Sequence, residues 1–505
     1  VKKQPNILIL MADQLTARAL SFYGNKVGKT PHMDGLAERG VVFQSAYCNS
    51  PLCAPSRYSW MAGRLPSAIG AYDNAAELSA DTPTFGHMLR LAGYRTILTG
   101  KMHFCGPDQL HGFEERLTTD IYPADFSWTP DWTRSDHRPS WYHSMESVIQ
   151  AGPSSRTNQI DFDEEVAFTA HRKLFDIARG NDQRPFCMVV SLTHPHDPFT
   201  IQGRYWNLYA EGDIDAPRVS ADAVPSDPHT RRLRHVIGLD QQPVSAEQTQ
   251  AARRAYYGAI SFVDDQIGAL LATLDETRLA EDTIVILMSD HGEMLGERGL
   301  WYKMSFFEQA CRIPLVIHAP GRFAPARVAQ SVSLVDLMPT LAELAADDLN
   351  FPTDGQSLLP HLQGLDGHDD VTGEYLAEGA IAPIVMRRRG RYKFIHSPAD
   401  PDQLYDLADD PDERRNLAAD PQAAAELEAF RAEIAGGWDF ETLTRQVIAS
   451  QRRRRLVGQA LATGQHTAWD YQPIRDASRQ YIRNHMDLED IEAMARFPRY
   501  DAGTA

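Results

Sequence analysis

Four short apolar runs each break off into polar residues of unusual chemical content, and no other feature of the sequence constrains the fold as tightly. "NILILMADQ" ends in Asp13 and Gln14, "YRTILTGKMH" in Lys101 and His103, "FCMVVSLTHPH" in His194 and His196, and "TIVILMSDHGE" in Asp290, His291 and Glu293. None alternates apolar and polar residues with period two, as expected of strands buried on both faces of a mostly parallel sheet. Helical patterns lie between them, "TPHMDGLAERG" at 30–40 and "TPTFGHMLRLAGY" at 82–94, each with Thr-Pro at its start and Gly at its end. The order predicts an α/β fold, a large mostly parallel sheet flanked by helices.

In such sheets ligands bind in the crevice beyond the carboxyl ends of the strands. An Asp after one strand is ordinarily a helix cap, but four coincidences of this kind point to a site. Asp13, Asp290 and a neutral His291 offer hard oxygen and imidazole donors suited to calcium, magnesium or manganese. The sequence has no H-E-x-x-H, no G-x-x-x-x-G-K-[ST] and no G-x-S-x-G.

The formal charge of −18 argues against nucleic acid or an anionic membrane as partner. The early apolar run at 6–12 is too short to span a bilayer and has no cleavage pattern after it, so a soluble, cytoplasmic protein is expected. Five cysteines, Cys48, Cys53, Cys105, Cys187 and Cys311, form no disulfide framework and no zinc spacing.

Cys53 stands apart because of "SPLCAPSRYSWMAGR" at 50–64. Pro55 suits the first turn of a helix. Cys53 then sits at the helix N-terminus, where the macrodipole favours an anion, with Arg57 one turn on. Read locally this is an activated thiol, yet a thiol nucleophile does not need a hard metal beside it.

"CAPSR" followed by "YSWMAGR" resembles the C-x-P-S-R signature of type I sulfatases, formylglycine-dependent members of the alkaline phosphatase superfamily. In that family a maturation enzyme oxidises the cysteine to formylglycine, whose hydrate is an oxygen nucleophile that a hard metal can activate. The likeness spans nearly the whole chain: Asp13, Lys101 and His103, His196, the Asp290-His291 pair and Lys303 all match. One departure is Asp13-Gln14 where many sulfatases carry Asp-Asp, which leaves open whether Gln14 is a ligand. Within the family, "YDNAAE", "THPHDPF", "SDHGEMLGERGLWYKMSFFE" and "WDYQPIRDASRQYIRNHM" resemble the choline-sulfatase branch.

The resemblance implies a metal held by Asp13, Cys53 as formylglycine, Asp290 and His291, with calcium as first choice and magnesium or manganese as alternatives. An oxygen of the hydrated aldehyde attacks sulfur in line, and the hemiacetal sulfate then collapses to aldehyde and sulfate. By the family's pattern Arg57 and Lys101 hold the aldehyde-derived oxygens, and His103 is the base for collapse. His196 and Lys303 bind the sulfate, and either serves as acid. His194 is structural.

A quaternary ammonium group is held by aromatic faces and carboxylates. The stretch "FSWTPDWTRSDHRPSWYH" at 126–143 is loop-like and aromatic, and similarity to choline sulfatases points to Trp128 and His143 for the cation, with Glu378 as counter-charge. The substrate implied is choline sulfate. A phosphonate monoester or phosphodiester hydrolase, or an arylsulfatase, is the enzymatic alternative, and a non-catalytic binding protein with an unconverted cysteine is a third.

Residues 1–375 are expected to form the catalytic domain and 376–505 a smaller C-terminal subdomain with an antiparallel sheet and an extended tail. The basic run "QRRRRLV" at 451–457 reads as a solvated or subunit-facing helix surface. The tail implies a homo-oligomer, a tetramer or dimer, in which Glu489 is a candidate to reach a partner's site.

Overall fold

β1 (Asn6–Ala12) runs through the middle of a nine-stranded sheet, and its apolar run is buried because strands cover both of its edges. The other strands are β2 (Val41–Tyr47), β3 (Arg95–Gly100), β4 (Glu115–Arg116), β5 (Phe186–Leu192), β6 (Thr283–Ser289), β7 (Arg312–Ile313), β8 (Leu315–His318) and β9 (Ala326–Ser333). Their order is β9-β2-β8-β6-β1-β5-β3-β4, with β7 beside β2. The computed structural model describes residues 4–122, 125–135, 137–345, 351–465, 469–473 and 486–498.

The four apolar runs of the sequence are β6, β1, β5 and β3, which are consecutive neighbours and all parallel. Their register is level: Ala12 faces Leu192 on one side and Ser289 on the other, and Gly100 faces Ser191. The residues that follow therefore leave the sheet side by side along one edge. Gly100 is required there, since a Cβ would lie 2.0 Å from the carbonyl oxygen of Ser191 and its φ is +101°.

The two predicted helices form α1 (Pro31–Arg39) and, over a shorter span, α3 (Phe85–Leu91), with α2 (Cys53–Ala62) between them. Every residue of α2 is buried, which is unusual for a ten-residue helix and places Cys53 and Arg57 inside the molecule. α4 (Asn158–Arg179) packs on β3, β5 and on the long α5 (Ala246–Glu276).

The expected antiparallel pair is part of a four-stranded sheet, β10 (Asp370–Tyr375), β11 (Ile384–Arg389), β12 (Tyr392–Ser397) and β13 (Asp400–Asp406). Its outer strands, "DVTGEY" and "DPDQLYD", are too polar to read as strands from pattern alone, and the sheet opens at Asp370, ahead of residue 376. With α6 (Ala424–Gly437) it forms its own small core of Val385, Phe394, Leu404, Leu427, Phe430 and Ile434.

The next helix, α7 (Phe440–Leu461), buries Leu443, Val447, Ser450, Gln451 and Arg454 on one face. The basic run is thus not uniformly solvated. Arg452 and Arg453 are exposed, but Arg454 turns inward and is buried. Of the tail, 474–485 lies outside the described residues, and Glu489 sits exposed in the first turn of α8 (Leu488–Ala495). No helix among the described residues is long and apolar enough to cross a membrane.

Candidate active site and metal centre

The donor atoms of Asp13, Cys53, Asp290 and His291 lie within 4.8 Å of one another, and all four residues are buried. The level register brings Asp13 and Asp290 together, because they follow the paired Ala12 and Ser289. Cys53 enters from the first turn of α2. Asn74 Oδ1 accepts the Ala54 N–H at 2.9 Å, a cap supplied from twenty residues away. His291 Nε2 is 3.1 Å from Cys53 Sγ, 3.9 Å from Asp13 Oδ1 and 3.8 Å from Asp290 Oδ2.

Buried carboxylates are costly unless paired. Arg57 pairs both: its Nε donates to Asp290 Oδ2 at 2.8 Å and a terminal nitrogen donates to Asp13 Oδ2 at 3.0 Å. Lys101 Nζ also pairs with Asp13 Oδ2 and lies 4.5 Å above the Tyr122 ring centre. Burial and the neighbouring Cys53 would raise the Asp13 carboxyl, but Lys101, His196 and Arg57 outweigh them and hold it well below the ordinary range. Its Oδ1 is left facing His291 and Cys53. Two carboxylates and an imidazole around position 53 are a hard donor set, and they fit a divalent ion.

Burial would raise the Cys53 thiol too, yet Lys101, Lys303 and His291 hold it well below its usual value. This surplus of positive charge suits an anionic oxygen as well as a thiolate. The Sγ atom stands for the oxygens that a hydrated formylglycine would carry at this position.

Above this cluster Lys303 Nζ donates to Gln14 Oε1 at 2.5 Å and lies 2.9 Å from His196 Nε2. The Gln14 amide nitrogen donates to Glu293 and, at 3.4 Å, to Asp197. Gln14 thus spends its side chain on orienting Lys303, with its backbone at a φ of 64°. Burial pushes the Glu293 carboxyl up to about 7, with the Asp197 charge adding to it. His196 Nδ1 is 2.7 Å from the Asp197 carbonyl oxygen.

His103 is buried with neither ring nitrogen in a hydrogen bond, and Asp120 Oδ2 holds its backbone N–H at 2.8 Å. His194 is occupied differently: its Nδ1 lies 2.7 Å from Asp163 Oδ2 on α4.

From the 126–143 stretch, Trp128 comes up to His103 and His143 to His196. The Trp128 ring lies 6.0 Å from that of His103 and stacks on Trp141 at 6.3 Å. Trp141 in turn meets Tyr142 edge-on at 4.4 Å. The His143 ring lies 4.6 Å from Tyr302 and 6.2 Å from His196. Glu378 is 3% exposed and its Oε2 has no partner. Burial, reinforced by Asp73, pushes its carboxyl up to about 7, against the pull of Lys303. Trp132 anchors the stretch instead of lining the pocket, since its indole N–H donates to the Ala377 carbonyl at 2.9 Å and its backbone N–H to Gln451 Oε1 at 3.0 Å.

Sequence reasoning does not single out Tyr122, Asp197, Asn74 or Asp120. Asp197 has a signal in its place next to His196, and Asn74 in the "YDNAAE" stretch. Tyr122 and Asp120 have no motif of their own, because what brings them to the site is contact with Lys101 and His103 just past the end of β3.

A buried carboxylate and imidazole cluster fit to hold a metal at the carboxyl edge of this sheet, with a helix-borne position 53 beside it, places the protein among the alkaline phosphatase-like hydrolases. Residues 5–347 match the sulfatase family, 296–436 the N-sulphoglucosamine sulphohydrolase C-terminal family and 445–497 the choline sulfatase enzyme C-terminal family. The chain belongs to the sulfatase family. It is 46% identical to the choline-sulfatase of Rhizobium meliloti (strain 1021), over 98% of this chain and 99% of that protein. It is 28% identical to the iduronate 2-sulfatase of Mus musculus, over 71% of this chain and 74% of that protein. The crystal structure of the phosphonate monoester hydrolase of Agrobacterium radiobacter superposes with a TM-score of 0.69 at 26% identity, covering 88% of this chain and 96% of that one.

Proposed function

We propose that the protein hydrolyses choline-O-sulfate to choline and sulfate, with a formylglycine made from Cys53 as its nucleophile. The likeness to the Rhizobium meliloti choline-sulfatase from end to end carries this reading. The unpartnered Glu378 carboxylate oxygen on the aromatic side of the pocket supports it, since a quaternary ammonium needs a charge and π-faces but no hydrogen-bond acceptor.

Asp13, Asp290 and His291, with residue 53, hold the divalent ion, which when bound supplies a Lewis acid that favours a deprotonated nucleophile. We take the ion to be calcium, with magnesium or manganese as alternatives. Arg57 and Lys101 fix Asp13 and orient the groups at position 53. Lys303 and His196 hold the sulfuryl oxygens, neutralise charge as it develops there and give a proton to the departing choline oxygen. His103, with both ring nitrogens unengaged, takes the proton when the sulfated intermediate collapses. Trp128, His143 and Glu378 hold the trimethylammonium end.

Maturation by a formylglycine-generating enzyme, a cytoplasmic setting and division into a catalytic domain and a C-terminal subdomain belong to the same reading, with the expected boundary at 375/376 moved ahead of β10. So does a homo-oligomer, a tetramer or dimer, which exposed Leu456, Val457, Met486, Leu488 and Met494 near the C-terminus support. The deciding experiment compares kcat/KM for choline sulfate, an aryl sulfate and a phosphonate monoester. Choline sulfate is expected to be the best of the three, and finding it the poorest would overturn the assignment. The mass of the peptide containing residues 50–57 reports conversion of Cys53.

A further inference from the structure

α7 reaches the pocket from the far end of the chain, and the contact centres on one side chain. Arg454 is 5% exposed, and its guanidinium forks onto Asp73, at 2.6 Å to Oδ1 and 2.7 Å to Oδ2. Its Nε donates to Ser450 Oγ at 3.2 Å, and one terminal nitrogen also donates to Thr129 Oγ1 at 3.3 Å. Asp73 is fully buried and precedes Asn74, the residue that caps α2 at Cys53. Thr129 follows Trp128. A single planar group therefore ties the start of the nucleophile's helix to the aromatic side of the pocket.

The rest of α7 works to the same end. Gln451 Oε1 accepts the Trp132 N–H, Arg455 pairs with Asp131, and at Gly458 a Cβ would come within 3.3 Å of Phe126 Cβ. The segment from Phe126 to Trp132 consists of 3-10 turns and loop, with little regular structure of its own to hold it. Its position is set by the helix on which it lies.

We propose that Arg454 is a positioning residue for substrate selection, fixing the separation between position 53 and Trp128 to the length of an ester whose cation lies a set number of bonds from sulfur. This rests on the choline sulfate reading above. Arg454 touches neither substrate nor metal. It acts through Asp73 and Asn74 on one side and through Thr129 on the other. Lysine is a poor substitute, because a point charge cannot serve both Asp73 oxygens and Thr129 in the same plane.

The test uses a matched pair of substrates, choline sulfate and its uncharged carbon isostere 3,3-dimethylbutyl sulfate. The wild-type protein is expected to prefer choline sulfate. In Arg454→Met, kcat/KM for choline sulfate should fall about tenfold or more, chiefly through KM, while the isostere changes by less than about threefold. Arg454→Lys should lie between. A variant that keeps the wild-type preference, or loses both substrates equally, would overturn the inference. A wild type with no preference would instead overturn the functional reading itself.

Burying Asp73 without its counter-charge costs stability, so two further proteins secure the result if Arg454→Met does not fold. Asp73→Asn/Arg454→Met removes both charges, and it should melt near the wild type yet lack the preference. A preference retained in that protein counts against the inference, because the fork between Asp73 and Thr129 would then be dispensable. Gln451→Ala releases Trp132 and should weaken the preference by about threefold, and an unchanged preference there counts against the inference as well.

Discussion

The two sides of the pocket are built by opposite means. On the side proposed for sulfate, Asp13, Lys101 and Asp290 directly follow the last residues of β1, β3 and β6, so the sheet itself sets their spacing, and His196 follows four residues after the end of β5. On the side proposed for the cation, Trp128 stands on a short 3-10 turn whose neighbours Thr129 and Trp132 are held by groups from far away, Arg454, Gln451 and Ala377. The sheet can hold chemistry common to a whole family, while a loop held from outside can change its reach without disturbing that chemistry. Substitutions on the two sides should accordingly fail in different ways.

The largest effects belong to the sulfate side. Asp13→Asn or Asp290→Asn should cost roughly 10^3-fold or more in kcat on every sulfate ester alike, with loss of bound metal by elemental analysis. Removal of the metal with a chelator should reproduce this loss, and a divalent ion should reverse it. Next comes Lys303→Ala, expected to lower kcat by about 10^2-fold for choline sulfate. For a nitrophenyl sulfate the loss should be smaller, since that leaving group needs less protonation. An equal loss on both would mean that Lys303 only binds.

On the cation side, Glu378→Gln should raise KM for choline sulfate about tenfold and leave the uncharged isostere nearly alone. Glu378 also carries a pH signature. Its carboxyl, facing Asp73, Tyr142, Lys303 and Cys53, is pushed up to about 7 from an ordinary 4.5. The folded protein thus holds a proton there that the unfolded chain has released. That contribution to stability is complete below about pH 4.5 and lost as pH rises through about 7. Relative to the wild type, Glu378→Gln should therefore gain on the order of 1–3 kcal/mol at pH 8 and show little difference at pH 4, measured by denaturant unfolding. Choline sulfate affinity in the wild type should fall as pH drops below 7. An affinity that is flat with pH would place the counter-charge elsewhere.

The smallest kinetic effect is expected at His194, whose ring is taken up by Asp163. His194→Gln should cost about 1–3 kcal/mol of stability and leave kcat/KM within about threefold of wild type. A hundredfold kinetic loss would move His194 into the reaction.

The parallel strands and the charged set at their ends are legible in the sequence because each is local. An apolar run reads as a buried strand, and the polar residues follow it within four positions. Cys53 is legible as a helix-terminal residue from Pro55 alone, but its partnership with Asp13 and His291 needs the family likeness. Arg454 reads as surface, because in "QRRRRLV" four identical side chains leave composition no way to say which one turns inward. The outer strand β10 escapes notice for another reason, since it is mostly buried but Gly373 and Glu374 among its buried residues break any apolar pattern.

By itself the sequence determined which strands form and which reactive groups follow them, for both depend on residues within a few positions of one another. Tertiary structure decided the level register that gathers Asp13, Asp290 and Lys101 around position 53. It also decided that Gln14 serves Lys303, 289 positions away, and that Arg454 spans from Asp73 to Thr129, 381 and 325 positions away. No local preference encodes such a distance, and only the closing of the whole fold around a shared buried charge makes these contacts favourable.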